Sequence, residues 1–315
     1  MKSPLDTAWP TLPPATAEPT RATLHRYLQI LGKIRLATTP LQNHYWNVAL
    51  HLTARGLTTR PMPLGDGRTF AIDLDLVNHH VIVRTSDGAT RALALIPRTV
   101  ADFYHELLGI LAALEIRVPI DDHPVEIAVD AIPFHSDHEH FVYHAEYAER
   151  CFGALAGSAV VFEEFQSRFL GKSSPVHLFW GSFDLAATRF SGRRAPERAG
   201  ADPVTRESYS HELFSAGFWP GDERFPQPAY YAYAAPQPPG FDRSAIRPSD
   251  AFFHRDLGEY LLPYEIIARA RSPRTLLLEF LQSTYEAAAT LGSWDRAALE
   301  RTPPAPTLAP QPPPV

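Results

Sequence analysis

The sequence predicts an α+β fold of two pseudo-symmetric units, each ordered helix, antiparallel strands, helix. Three observations lead there. The first is an internal echo between residues 40–60, PLQNHYWNVALHLTARGLTTR, and 174–193, SPVHLFWGSFDLAATRFSGR. In each, a Trp is followed nine positions later by an Arg, Trp46 to Arg55 and Trp180 to Arg189. The second is a pair of matched landmarks. A Leu-Gly-Lys closes the helical pattern before each stretch, at Leu31-Gly32-Lys33 and Leu170-Gly171-Lys172, and a Pro-Arg-Thr opens a helix after it, at Pro97 and Pro273. The third is the alternation over 69–77, where Phe70, Ile72, Leu74 and Leu76 point one way and Thr69, Ala71, Asp73 and Asp75 the other, which is the period of a half-buried strand. An internal duplication accounts for the first two.

Residues 1–19 read as an extended Pro-rich arm, anchored by Trp9 because an indole is costly to expose. The first unit, 20–120, opens with a helix from about Thr20 to Arg35, on which Leu24, Tyr27, Leu28 and Leu31 form one apolar stripe. A strand at about 43–54 follows, then the alternating strand, then strands near 79–85 and 90–96 joined at Asp87-Gly88, a strong hairpin signal. A helix over 97–115 closes the unit with Val100, Phe103, Leu107, Leu111 and Leu114 on its buried face. The second unit, 121–294, starts with a strand near 125–130 and a long helix at about 141–170. The strand at 176–190 comes next, then a polar loop, strands near 207–218 and 229–235, and a long ordered loop over 236–256. Its last helix has Ser272 as N-cap and Pro273 at the first helical position, and ends near Gly292. Residues 295–315 form a Pro-rich tail that cannot bury enough apolar surface to order. From the matched Arg to the matched Pro is 42 residues in the first unit and 84 in the second. Extra loop length on one face usually builds a site, so the functional surface is expected in the second unit.

Composition narrows the function classes. The net charge is -6 and no block of like charge occurs, so nothing suggests a nucleic-acid footprint. A single cysteine, Cys151, excludes an internal disulfide and fits a reducing compartment. The first residues lack an apolar signal region, and no apolar run approaches the ~20 residues that span a bilayer. A cytoplasmic protein without a membrane partner is the expectation. The motifs of P-loop, dinucleotide-binding, nucleophile-elbow and zincin proteins are absent.

Candidate chemistry gathers in three places. On a regular strand Trp180, Ser182 and Asp184 share a face, where the first unit has Trp46, Val48 and Leu50. A carboxylate in place of a core leucine needs a partner or a pocket. Asp184 is therefore either a general base in a polar cavity or half of a structural pair, with Arg189 on the opposite face. Along 208–221, alternation puts His211, Ser215 and Trp219 on one face. A free imidazole titrates near neutrality, so His211 is the best single acid–base candidate, beside Glu212, unless it is a satisfied core histidine. The third place is His135, Asp137, His138, Glu139, His140 and His144, where His140 and His144 are four apart at a helix start. That spacing can chelate a metal, yet no third ligand sits at fixed spacing; a solvated helix entrance explains it equally, and no metal is assigned.

Three functional expectations result. One is an enzyme acting on a small polar organic molecule, with Asp184, His211 and Glu212 as catalytic groups. The ligand-binding residues would then be Asn43, His44, Trp180, Arg189, Trp219 and Tyr233. The alternative is a non-catalytic protein that holds a small ligand in an aromatic pocket. A third is partner binding through the Pro-rich tails. Neither a cofactor nor an oligomeric state is encoded in any pattern.

The segments TLHRYLQILGKIRLA, NHYWNVALHLTARGLTTRPMP and SPVHLFWGSFDLAATRFSGR, with SAGFWPG and LLEFLQSTYEAAA, resemble an uncharacterised bacterial family known only as a domain of unknown function. The resemblance runs from about Trp9 to Trp294. That family tends to have Tyr-Asp where this chain has Tyr143-His144, which weakens a metal role for His144 as a family property. The resemblance implies a bacterial family member and carries no activity, substrate or cofactor.

Overall fold

The structure, a computed structural model, describes residues 9–14, 18–127 and 131–301. Parts of the expected arm, the end of the strand expected near 125–130 and the tail from 302 lie outside the described residues.

Helix α1 (Pro19–Thr38) begins with Pro19 in its first turn, and the Glu18 carboxylate accepts from Thr20 N–H at 2.9 Å. Its burial exceeds the predicted stripe: Arg26, Gln29, Lys33 and Arg35 are buried along with the leucines. Strands β1 (His51–Thr53), β2 (Gly56–Thr58), β3 (Met62–Pro63), β4 (Thr69–Asp75), β5 (His80–Thr85) and β6 (Thr90–Ala94) form an antiparallel sheet ordered β1-β2-β4-β5-β6, with β3 also on β4. The alternation in β4 holds, with Phe70, Ile72, Leu74 and the following Leu76 all buried. Helix α2 (Val100–Ala113) is capped by the Thr99 side chain, and its Phe103 stacks on Tyr27 of α1 with centroids 3.8 Å apart.

Helix α3 (Ala145–Ser167) leads into the second sheet. That sheet contains β7 (His177–Phe179), β8 (Asp184–Arg194), β9 (His211–Trp219), β10 (Ala229–Ala235), β11 (Phe252–His254) and β12 (Glu259–Pro263), in the antiparallel order β11-β12-β10-β9-β8-β7. A short helix, α4 (Pro203–Ser208), precedes β9, and α5 (Tyr264–Arg269), α6 (Pro273–Leu291) and α7 (Arg296–Leu299) follow β12. Helices α3 and α6 cover one face of this sheet. There Phe165 of α3 and Tyr285 of α6 meet Phe214 of β9, and Phe162 of α3 meets Tyr230 of β10. The two sheets touch edge to edge at one bridge, with Leu50 and Leu178 exchanging N–H···O bonds of 2.9 and 2.8 Å.

Three strand expectations are corrected. The strand at 43–54 is instead a 3₁₀ segment, Asn43–Val48, followed by the short β1. Its His44 and Tyr45 have φ of 58° and 57°, a region L-residues seldom occupy, and His44 N–H is held there by the Glu207 carboxylate at 3.1 Å. The long strand at 176–190 is a hairpin whose turn runs through 180–183, with Phe183 at φ 60°. The described part of 125–130 is loop, not strand.

Gly32 does not close a helix. It lies inside α1, and a Cβ there would come within 2.2 Å of the Trp180 ring. The indole rests on the bare backbone, and its Nε1–H donates to the Val48 carbonyl at 2.9 Å. In an exposed helix interior, Gly→Ala stabilises by about 1 kcal/mol. Here Gly32→Ala is expected to do the reverse, lowering stability by roughly 1–3 kcal/mol through overpacking, as read from urea unfolding midpoints.

Candidate functional site

The face of the second sheet away from α3 and α6 is the floor of a cavity of about 720 Å³. Strand alternation sorts the residues. Asp184, Ala186, Thr188 and Phe190 of β8 line the cavity, as do Leu213, Ser215 and Trp219 of β9, Tyr231 and Tyr233 of β10 and Glu259 of β12. Their neighbours Leu185, Phe214 and Tyr230 are buried toward the helices. The walls come from outside the sheet: the 3₁₀ segment with His44 and Trp46, the hairpin turn with Trp180 and Ser182, Glu126 beside it, and residues of α4.

Register decides which floor groups meet. Tyr231 pairs with Gly217, which in turn pairs with Ala186. A Cβ on Gly217 would lie 2.5 Å from the Tyr231 ring, so the missing side chain lets that ring cross β9 and donate its O–H to Asp184 at 2.5 Å. One row farther along, Thr188 and Ser215 share a hydroxyl hydrogen bond of 2.9 Å, and the Tyr209 and Tyr233 hydroxyls are 3.1 Å apart. Ser182 donates to the Glu126 carboxylate in the wall.

Two carboxyl groups are strongly perturbed. Burial pushes Asp184 up to about 7, partly opposed by the Tyr231 hydrogen bond and reinforced by Glu126. Burial also pushes Glu259 up to about 7, with the Asp184 charge adding to it and Arg224 opposing it. Desolvation disfavours a carboxylate, so both groups exchange protons near neutral pH. At the other end of the cavity the charge is basic. His44 stacks on Phe190 with centroids 4.4 Å apart and lies 5.7 Å from His211. Its Nδ1 faces the Ser208 carbonyl at 3.1 Å, which makes Nδ1 the donor and leaves Nε2 to accept from Lys172 Nζ at 2.6 Å. Burial and then Lys172 hold both His44 and His211 below the ordinary histidine value.

The sequence-derived residues divide accordingly. Asp184, His44, Trp180, Trp219 and Tyr233 meet around one cavity. Asp184 and His211 do not form an acid–base pair. His211 opens β9 and Asp184 lies level with its other end, since Leu185 pairs with Phe218; at about 3.3 Å per residue the two are about 25 Å apart. Glu212 is held outside the cavity by Ser191 and Arg193 at 2.9 and 2.8 Å. Arg189 points to the opposite face, its guanidinium 3.4 Å from the Phe165 ring centroid and near Tyr285. Asn43 is exposed and does not line the cavity. The histidine cluster is dispersed into separate pairs: His135 with Asp122, His140 and Arg26 with Asp137, His144 with Glu18. Among the described residues, three metal-type donors converge only at the largely exposed Asp121, Asp122 and His123. Glu259 escaped sequence reading, and so did the contact of Tyr231 with Asp184 across Gly217, although a lone Gly inside an apolar strand signals close approach of another group.

The sequence pattern of a family described as of unknown function, DUF5996, matches residues 9–301. The chain belongs to that family. No curated protein and no solved structure matches it.

The raised carboxyl values carry a stability signature. A group that holds its proton more tightly when folded lowers stability as pH rises from its unfolded value, near 4, to its folded value, and the loss is complete above that. For Asp184 and Glu259 the window closes at about 7. Asp184→Asn keeps an acceptor for Tyr231 and removes the charge. Its unfolding midpoint, measured beside wild type, is expected to match or fall below it at about pH 4 and exceed it at about pH 8; Glu259→Gln should behave the same way.

Proposed function

We propose that the protein is an enzyme that moves protons on a small, elongated polar organic molecule, with Asp184 and Glu259 as the exchanging acid and base. The observation that carries this reading is the pair of carboxyl groups pushed up to about 7 on the floor of one aromatic cavity. A general acid or base works best when its pKa lies near the operating pH, and cavity carboxyls perturbed by burial plus a named charge are functional-site candidates. The roles divide by environment. Tyr231 steadies Asp184 as a carboxylate, which makes Asp184 the base, while the Glu259 carboxyl accepts no hydrogen bond from any of the described residues and serves as the acid. Trp46, Trp180 and Trp219 supply flat apolar surface for the carbon skeleton, and Ser215 with Tyr233 offers hydroxyls to its polar groups.

A second reading, binding without turnover, is favoured by the density of aromatic rings around two acidic groups, an arrangement that suits an amine cation. A turnover screen with mixed metabolites separates them. Wild type should convert a substrate with a pH profile that bends near 7. Asp184→Asn and Glu259→Gln should each lower the rate roughly 10²–10⁴-fold without loss of folding. Retained ligand with no turnover in wild type would support the binding reading, and turnover unaffected by both variants would exclude the carboxyl pair.

A further inference from the structure

A second cavity, of about 330 Å³, lies away from the carboxyl pair, between β1 and α3, and is lined by His51, Arg60, Gln166 and Ser174 among others. Behind it sits an unusual set of buried polar groups. Arg35, 7% exposed, donates to the Thr59 carbonyl, but its Nε has no partner and no carboxylate pairs with it among the described residues. His51 is 5% exposed with Nδ1 unpartnered, and His177 is fully buried with both ring nitrogens unpartnered. The two imidazoles are 6.1 Å apart, centre to centre. Arg60 completes the set. It holds a left-handed φ of 61° and lies close enough that its charge acts on Arg35, His51 and His177.

Buried polar atoms almost always have partners, and a buried guanidinium without a counter-charge is costly. Arg35 is in the last turn of α1, where helix carbonyls offset only part of a charge. The carboxylate on the cavity lining, Glu163, is exposed and pairs with neither arginine. Two guanidiniums and two histidines thus converge, and among the described residues no carboxylate forms an ion pair with either arginine.

We propose that this cluster binds a phosphate-type oxyanion, with Arg60 and His51 as the contacting groups and Arg35 and His177 behind them. Guanidinium forks match tetrahedral oxyanions geometrically. Burial, with the neighbouring arginines, holds His51 and His177 near 3. A bound dianion would stabilise their protonated forms, and the imidazoles would then share in holding it. The cavity leaves room beside a phosphate for the organic part of a phosphate ester.

The test is thermal unfolding of the full chain with inorganic phosphate replacing chloride at constant ionic strength. Wild type should show a saturable rise in midpoint, as expected of a ligand that binds only the folded state. Arg60→Gln, at an exposed position, should unfold at or slightly above the wild-type midpoint without phosphate, because a repulsive charge is removed, and need at least about tenfold more phosphate for half-saturation. The ¹⁵N shifts of His51 and His177 should move to protonated values as phosphate saturates wild type. No saturable rise, an equal rise in Arg60→Gln, or a rise reproduced by acetate would each overturn the proposal.

Discussion

The contact on which the arrangement depends is Trp180 lying on Gly32. An indole can reach the backbone of a buried helix only where no side chain stands, and this one joins α1 of the first unit to the hairpin turn of the second. Polar bonds then fix the turn. His25 Nε2–H donates to the Gly181 carbonyl at 2.8 Å, and Gln29 bonds both the Gly181 carbonyl and the backbone of Val125. Burial holds His25 near 4, so the ring is neutral and no charge is trapped in the joint. These bonds explain why α1 buries polar side chains that an amphipathic stripe would leave in water. They also set the wall of the larger cavity, because the turn that α1 grips carries Ser182 and leads directly into Asp184.

On the cavity floor the governing constraint is dielectric. A carboxylate among Trp, Tyr and Leu side chains loses its hydration and recovers little of it from one phenol, so Asp184 and Glu259 remain protonated to near neutrality. Well-packed apolar residues in their place would cost no desolvation, as replacements of buried ion pairs show. Each opens a strand whose next residues are largely apolar, Asp184 in β8 and Glu259 in β12, and such a local conflict is of the kind found at functional positions. Arg189 forms the instructive contrast. It is also buried, and burial lowers it to about 9, yet it is enclosed by Phe165, Phe169 and Tyr285 with its NH2 group on the Phe165 carbonyl. It faces no cavity, so its chemistry ends in packing.

What could be read from the sequence was whatever is local. The period of β4, the hairpin at Asp87-Gly88 and the Ser272-Pro273 helix start all depend on neighbours within a few residues, and each appears in the structure where the pattern placed it. Face assignment within β8 was also legible, because alternation separates Asp184 from Arg189 regardless of what covers each face. Breaks in regularity were not. The strands expected across 43–54 and through 180–183 fail because distant groups, Glu207 for His44 and Glu126 for the Gly181-Ser182 turn, offer better partners than a ladder would.

The Asp184–His211 pairing failed for a related reason. Both residues belong to adjacent strands, and sequence alone could place them on the same sheet. Only the register, set by Leu185 opposite Phe218, puts them at opposite ends. Tyr231 reaches Asp184 instead because Gly217 leaves a gap in the strand between them. Two glycines, Gly32 in a helix and Gly217 in a strand, therefore mark the two close approaches that shape the larger cavity. In each the absence of a side chain makes room for an aromatic ring from another element, and which ring that is cannot be read from the glycine alone.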